Sequence, residues 1–218
     1  MVTSDEFSGA IGSYVVGRSN LADRIVDAWR DMDASTGRLL REKPTEARLL
    51  FYVLMSDMVF FLSWSIKAVV VPTAEAAARL PLEISFWLVF ALLCRTSAIY
   101  FLSILIGSAA RIMGGTGTWR ETRTAVFWGA LVAAPFGFLC ALITVALTAL
   151  EPVIPALGAD WIALPPYWAS LIPFVWFISA GIARAHNFER VSNVFAAMSA
   201  IAVAAIVLAM YLRAQGII

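Results

Sequence analysis

Charge is what this sequence is shortest of. Only 14% of its 218 residues are charged and 61% are hydrophobic, whereas soluble domains are about a quarter charged and about half apolar. A chain so poor in charge cannot cover a water-exposed surface and reads as an integral membrane protein. Apolar and polar residues do not alternate at a two-residue period, which excludes a lipid-facing β-barrel and leaves a helical bundle. Cysteine is nearly absent: Cys94 and Cys140 both fall inside apolar runs, as buried thiols rather than a disulfide framework. The only histidine is His186, and no second histidine or nearby cysteine gives it a metal-ligand pattern. No activated serine or cysteine and no pair of facing carboxylates is visible, so the chain reads as non-enzymatic, with no cofactor, metal or catalytic residues. The net charge of +1 and the lack of a basic patch with interleaved aromatics exclude nucleic acid as a partner. The acidic start Met1-Val2-Thr3-Ser4-Asp5-Glu6-Phe7 has neither the basic beginning nor the apolar centre of a signal peptide, and the lipidation patterns are missing.

What the chain has instead is five apolar runs, each able to cover a hydrocarbon core of about 30 Å, which takes roughly 20 helical residues. They lie at about Leu49 to Val71, Ile84 to Ala109, Thr124 to Leu150, Pro165 to Ala185 and Val191 to Leu212. The expected fold is an all-α membrane bundle of five transmembrane helices, residues 48–213, behind a cytoplasmic N-terminal segment, residues 1–47. Basic residues are one-sided. Arg18, Arg24, Arg30, Arg38, Arg41, Lys43 and Arg48 precede the first run, Arg111, Arg120 and Arg123 lie in the second connection, and Arg184 and Arg190 lie in the fourth. The opposite side holds Lys67, Arg79 and Arg213. By the positive-inside rule the N-terminus is cytoplasmic and the C-terminus lies on the far side, as an odd number of spans requires.

Within residues 1–47, Leu21, Ile25, Ala28, Trp29 and Met32 recur at helical spacing opposite Asp23, Arg24, Asp27, Arg30 and Asp31, with Asn20 as N-cap. This amphipathic helix either lies on the membrane surface or packs beneath the bundle. The first two runs contain Asp57 and Arg95. A charge at such depth costs at least about 2.5 kcal/mol and calls for a partner or a cavity. Pairing of Asp57 with Arg95 is the economical expectation, although at 1.5 Å per residue they sit roughly 13 and 20 Å from the cytoplasmic ends of their runs. Between Pro72 and Pro81 an Ala-rich patch, Ala74 to Ala78, suggests a helical turn.

Met113-Gly114-Gly115-Thr116-Gly117-Thr118-Trp119-Arg120 is the most distinctive short stretch. No Lys follows the last glycine, so the phosphate-binding G-x-x-x-x-G-K-[ST] pattern is not met. The stretch reads as an interfacial turn in which Thr118 caps a helix starting near Trp119. The span behind it carries Pro135, which should bend it, and a row of small residues, Gly129, Ala133, Gly137 and Ala141. Such a row admits a close helix, from this chain, a membrane-protein partner or a second copy. Ala196, Ala200 and Ala204 form another row in the last span, which makes the third and fifth spans candidates for close partners, or one of them an oligomer face. The outer loop Glu151 to Pro166 is irregular and proline-rich, with Trp161, Tyr167 and Trp168 suited to the aromatic belt. His186 reads as an interfacial cap or hydrogen-bonding residue.

The run Gly114-Gly115-Thr116-Gly117-Thr118-Trp119-Arg120-Glu121-Thr122, followed by Pro135, resembles the G-G-x-G-[ST]-aromatic-[KR]-x-T…P signature of the Yip family, five-span proteins also called Rab- or Ypt-interacting proteins. Gly181 to Asn193, with His186, Ser192 and Ala196, is similar to that family's G…H…S…A turn. The likeness covers roughly residues 91–211. It implies a five-helix bundle with a cytoplasmic N-terminus, and a link to small GTPases, vesicle traffic or membrane shaping. The D-L-Y and Y-G-P motifs of eukaryotic relatives are absent from Met1 to Arg48, which leaves GTPase binding unsupported. Fourteen Arg against two Lys and much Ala look like a bacterial member, placed in the inner membrane. The function expected is a non-enzymatic membrane scaffold or interaction protein, such as an accessory subunit of a complex or a participant in membrane organisation. The alternative is a small transporter or channel with a polar site at Asp57 and Arg95.

Overall fold

The computed structural model describes residues 20–70, 80–163 and 165–215. The Ala74 to Ala78 patch, Arg79 and the first nineteen residues, Arg18 among them, lie outside the described residues, as do the side chains of Lys67, Tyr167, Trp168 and Arg213. The described part is helical with no strand: α1 Leu21–Arg30, α2 Met32–Glu42, α3 Glu46–Val70, α4 Leu80–Phe90, a π-helical turn Ala91–Arg95, α5 Thr96–Ile112, α6 Trp119–Leu150, a 3-10 turn Pro155–Gly158, α7 Asp160–Ala163, α8 Pro165–Ala169, α9 Leu171–Ala185 and α10 Val191–Ala214. Four stretches are long and apolar enough to cross a membrane, Glu46–Ile66, Leu82–Ile112, Trp119–Leu150 and Val191–Leu212, and Leu171–Ala185 is a shorter apolar helix. Large apolar side chains such as Phe86, Leu93, Phe101 and Val207 are more than half exposed. On a soluble monomer so much exposed apolar surface is rare; around an all-α membrane bundle it is the lipid-facing shell.

The fourth apolar run differs from the single helix expected over 165–185. Prolines at 165, 166 and 173 deprive the chain of amide donors, and the helix is interrupted at Ser170 between α8 and α9. The continuous part, α9, is 15 residues, about 22 Å.

The bundle is built on α6. At 32 residues it is about 48 Å long, longer than a hydrocarbon core, and Thr124 to Ala133 are buried without interruption. Spans α3 and α9 pack along it, α5 joins them, and α1 and α2 close the remaining sides of its first half. The small-residue row is used within the chain at its first members: a Cβ on Gly129 would stand 3.0 Å from the backbone of Ile178 in α9, and Ala133 is buried. The expectation that the third and fifth spans are close partners is not met. The fifth, α10, packs chiefly on α9, and Ala196, Ala200 and Ala204 are exposed.

The amphipathic segment packs on the bundle as two helices. Asn20 Oδ1 accepts from the Asp23 amide at 2.8 Å, the expected N-cap. The helix ends at Arg30 because Asp31 is extended and its carboxylate caps the next helix at Ala34 N, 2.9 Å away. Trp29 donates its indole N–H to the Val132 carbonyl at 2.7 Å. Pro135 removes the amide that would bond Leu131 and loosens this turn of α6, so the indole meets a carbonyl in a disturbed stretch of backbone.

Candidate functional site

Two polar constellations stand out, one inside the bundle and one at its turn-bearing end. The inner one is centred on Asp57, which is fully buried. Arg95 Nη1 donates to Asp57 Oδ1 and Thr96 Oγ1 donates to Asp57 Oδ2. Arg95 Nη2 donates to Ser56 Oγ at 3.2 Å, and Ser56 Oγ donates in turn to the Ala130 carbonyl of α6 at 3.3 Å. The guanidinium lies over the Phe60 ring at 5.0 Å. The structure thus brings Asp57 and Arg95 together despite their unequal depth along the runs, because the span ends are not level. Gly107 of α5 faces Trp119, whereas Glu46, the first residue of α3, pairs with Arg123 one turn further along α6. Gly107 also lies against Thr122, beside Arg123, and from it α5 runs on to Ile112, about 7 Å further toward the clasp than the level where α3 begins. The π-helical turn Ala91–Arg95 then sets the direction of the arginine, a use of such bulges that recurs at functional sites.

The second constellation clasps two turns. Thr118 and Glu121 form a reciprocal capping box at the start of α6, with Thr118 N donating to Glu121 Oε2 at 2.8 Å and Glu121 N donating to Thr118 Oγ1 at 3.3 Å. Gly114 turns the chain at φ +91, where glycine carries no steric penalty. Gly115 and Gly117 serve close approach: a Cβ on Gly115 would lie 2.6 Å from His186 Nδ1, and one on Gly117 would lie 2.5 Å from the Ala185 carbonyl. The Thr116 amide donates to the His186 carbonyl at 3.3 Å, and Asn187, at φ 58, donates to Thr116 Oγ1 at 3.0 Å. Arg111 spans the turn, its Nη2 donating to the Gly117 carbonyl at 3.2 Å and its guanidinium lying 3.8 Å from the centre of the Trp119 ring. Arg120 reaches the other way and donates to the Pro44 carbonyl at 2.6 Å, holding the link between α2 and α3.

His186 is the buried centre of this clasp. Its Nε2 lies 2.8 Å from Thr122 Oγ1, whose own proton goes to the Thr118 carbonyl at 3.0 Å. The other ring nitrogen, Nδ1, is buried against Gly115. Burial pushes the His186 pKa below its usual 6.5, Arg111 acts in the same direction, and Glu121 and a backbone hydrogen bond with Gly115 oppose them. The partners Arg111, Thr116, Thr122 and Asn187 were not assigned roles from the sequence, because nothing in its linear order shows that the two turns touch. Among the described residues no group of three or more His, Cys, Asp or Glu could hold a metal ion.

Of the bent-span residues, Pro135 is exposed on α6, and Gly137 and Ala141 line a cavity on the far side of the Asp57 layer.

Comparison with known proteins gives one family. A family model described as the Yip1 domain matches residues 27–212. The match starts at Asp27 rather than near Ala91, so it takes in part of α1, all of α2 and the first span as well. No curated protein and no solved structure matches the chain.

Proposed function

The chain belongs to the Yip1 domain family of membrane proteins, and from that footing we propose that it is a non-enzymatic membrane scaffold that presents a rigid surface to a protein partner. It sits with the clasp end in the cytoplasm, by the excess of arginine there, in what the arginine-rich composition suggests is a bacterial inner membrane. The observation that carries this reading is the closure of the polar groups. Asp57 is fully buried with both carboxylate oxygens bonded, and Arg120, Thr122, His186 and Asn187 each hold a partner in the clasp or in the link beside it. A group so satisfied holds structure in place and is not free to relay a solute. The Arg120 contact to Pro44 and the Arg184 contact to Asp33, at 3.5 Å, tie α2 to the two turns, so that end is a single surface for a partner to read.

A transporter is favoured by one observation, the place of Arg95 in the lining of a cavity. Purification from native membranes in a mild detergent tests the scaffold. Recovery as a stoichiometric member of a larger complex is expected, and an Arg120→Ala or Gly117→Ala variant should lose that partner. Recovery alone at every detergent concentration contradicts the scaffold and leaves the transporter.

A further inference from the structure

Spans α3 and α9 both pack on α6 but not extensively on each other. Between them, beyond the Asp57 layer, lies a cavity of about 410 Å³, within the range of about 300 to 1,000 Å³ of small-molecule sites. Its floor is the small-residue face of α6, including Ala134, Gly137 and Ala141, and its walls include Phe60 and Phe174. From Ala130 to Thr144 it follows α6 for about 21 Å, a shape suited to one extended chain. Ser56 and Arg95 stand at its Ala130 end, and Ser63, Thr144 and Ser170 also line it.

That end fixes the chemistry of an occupant. A guanidinium has five N–H donors, and Asp57 and Ser56 engage only Nη1 and Nη2. The arginine side chain is 19% exposed while Asp57 is 0% exposed, so the side of the pair that faces the cavity is a donor. Arg95 and Asp57 already cancel each other's charge, and a further anion would bring an uncompensated charge into a low-dielectric site. A neutral acceptor attached to an apolar chain is the complement.

We infer that the cavity between α3 and α9 is a binding site for a glycerolipid, one acyl chain lying over Gly137 and its ester carbonyl accepting from Arg95. The site is separate from the partner surface and stands or falls by its own measurement. Full-length protein, purified and stripped of lipid, is titrated by native mass spectrometry with dipalmitoyl phosphatidylcholine, with its diether counterpart lacking the carbonyls, and with palmitate. The ester lipid should bind, and the ether lipid should bind about fivefold more weakly, the effect of one neutral hydrogen bond. Gly137→Leu tests the slot without disturbing the ion pair, because a Cβ there meets nothing within 4 Å. It should lower ester-lipid binding by about tenfold or more while thermal stability is kept. Equal binding of ester and ether lipids, unchanged binding in a stable Gly137→Leu variant, or preference for palmitate over the ester lipid would each overturn the assignment.

Discussion

At the scale of single residues, the glycines of the clasp divide by what each one does. Gly117 has no room for a methyl group, since a Cβ would stand 2.5 Å from the Ala185 carbonyl and 3.0 Å from His186 Cγ. Gly117→Ala should therefore part the two turns and lower stability by about 1 to 3 kcal/mol. Gly114 has open space but sits at φ +91, so Gly114→Ala should cost only backbone strain, about 1 to 2 kcal/mol, and leave the His186 contacts in place. Thermal unfolding in detergent, with the His186 ring signals read by NMR, separates the two cases. His186 adds a pH dependence of definite sign. Its folded pKa lies below the ordinary 6.5, so the unfolded chain binds the extra proton. Its contribution to stability is complete above about pH 6.5 and is lost as the pH falls below that value toward the folded pKa. A melting series from pH 8 to pH 5 should show this loss, and His186→Gln should flatten it. The turn and its Thr118 cap were legible in the residues, because glycine and threonine at these spacings make a tight turn and a helix start from local chemistry alone. Its partner was not, because Ala185 and His186 meet Gly117 only through the packing of α9 on α6.

At the scale of elements, α6 and the first helix are linked through one disturbed turn. Trp29 donates to the Val132 carbonyl beside Pro135. Trp29→Phe keeps the ring packing and removes that bond, and should cost about 1 kcal/mol. Pro135→Ala restores an amide to the same stretch. If the indole depends on the loosened turn, the double variant should depart from additivity by at least about 0.5 kcal/mol. Additive values would mean that the helix packs there for other reasons. The amphipathic spacing of Leu21, Ile25 and Trp29 showed a face to bury and left open whether lipid or protein buries it. The structure selects protein for Leu21 and Ile25, which pack on the core, and ties Trp29 to α6 through the Val132 carbonyl, one residue from the Leu131 carbonyl that Pro135 leaves without its amide. The break in the fourth run follows from its prolines, whereas the pairing of α10 with α9 rather than α6 does not follow from alanine spacing, since rows of small residues recur in any alanine-rich helix.

At the scale of the whole molecule, the bundle is a membrane-embedded frame that hides its charges. Asp57→Asn should leave Arg95 without its counter-charge and destabilise the protein by about 3 to 5 kcal/mol, and coupling with Arg95→Gln should be at least about 0.5 kcal/mol in a double-variant cycle. The membrane class, the apolar runs and the need of Asp57 and Arg95 for partners were all readable from the sequence, because each follows from composition and the cost of burying charge. Their direct pairing was the economical expectation and is what the structure shows, whereas the level match that allows it depends on how far α5 extends beyond α3 and was not legible. The most direct measurement of the scaffold reading is cysteine labelling in intact and inverted membranes. Asp57→Cys and Arg95→Cys would be placed separately in a Cys94→Ala, Cys140→Ala background and treated with a charged, water-soluble maleimide, with Gly114→Cys as the exposed control. The closed frame predicts rapid labelling at 114 and none at 57 or 95 from either side, whereas labelling at 57 or 95 at a rate near that of the control would mean a water-filled path and contradict it.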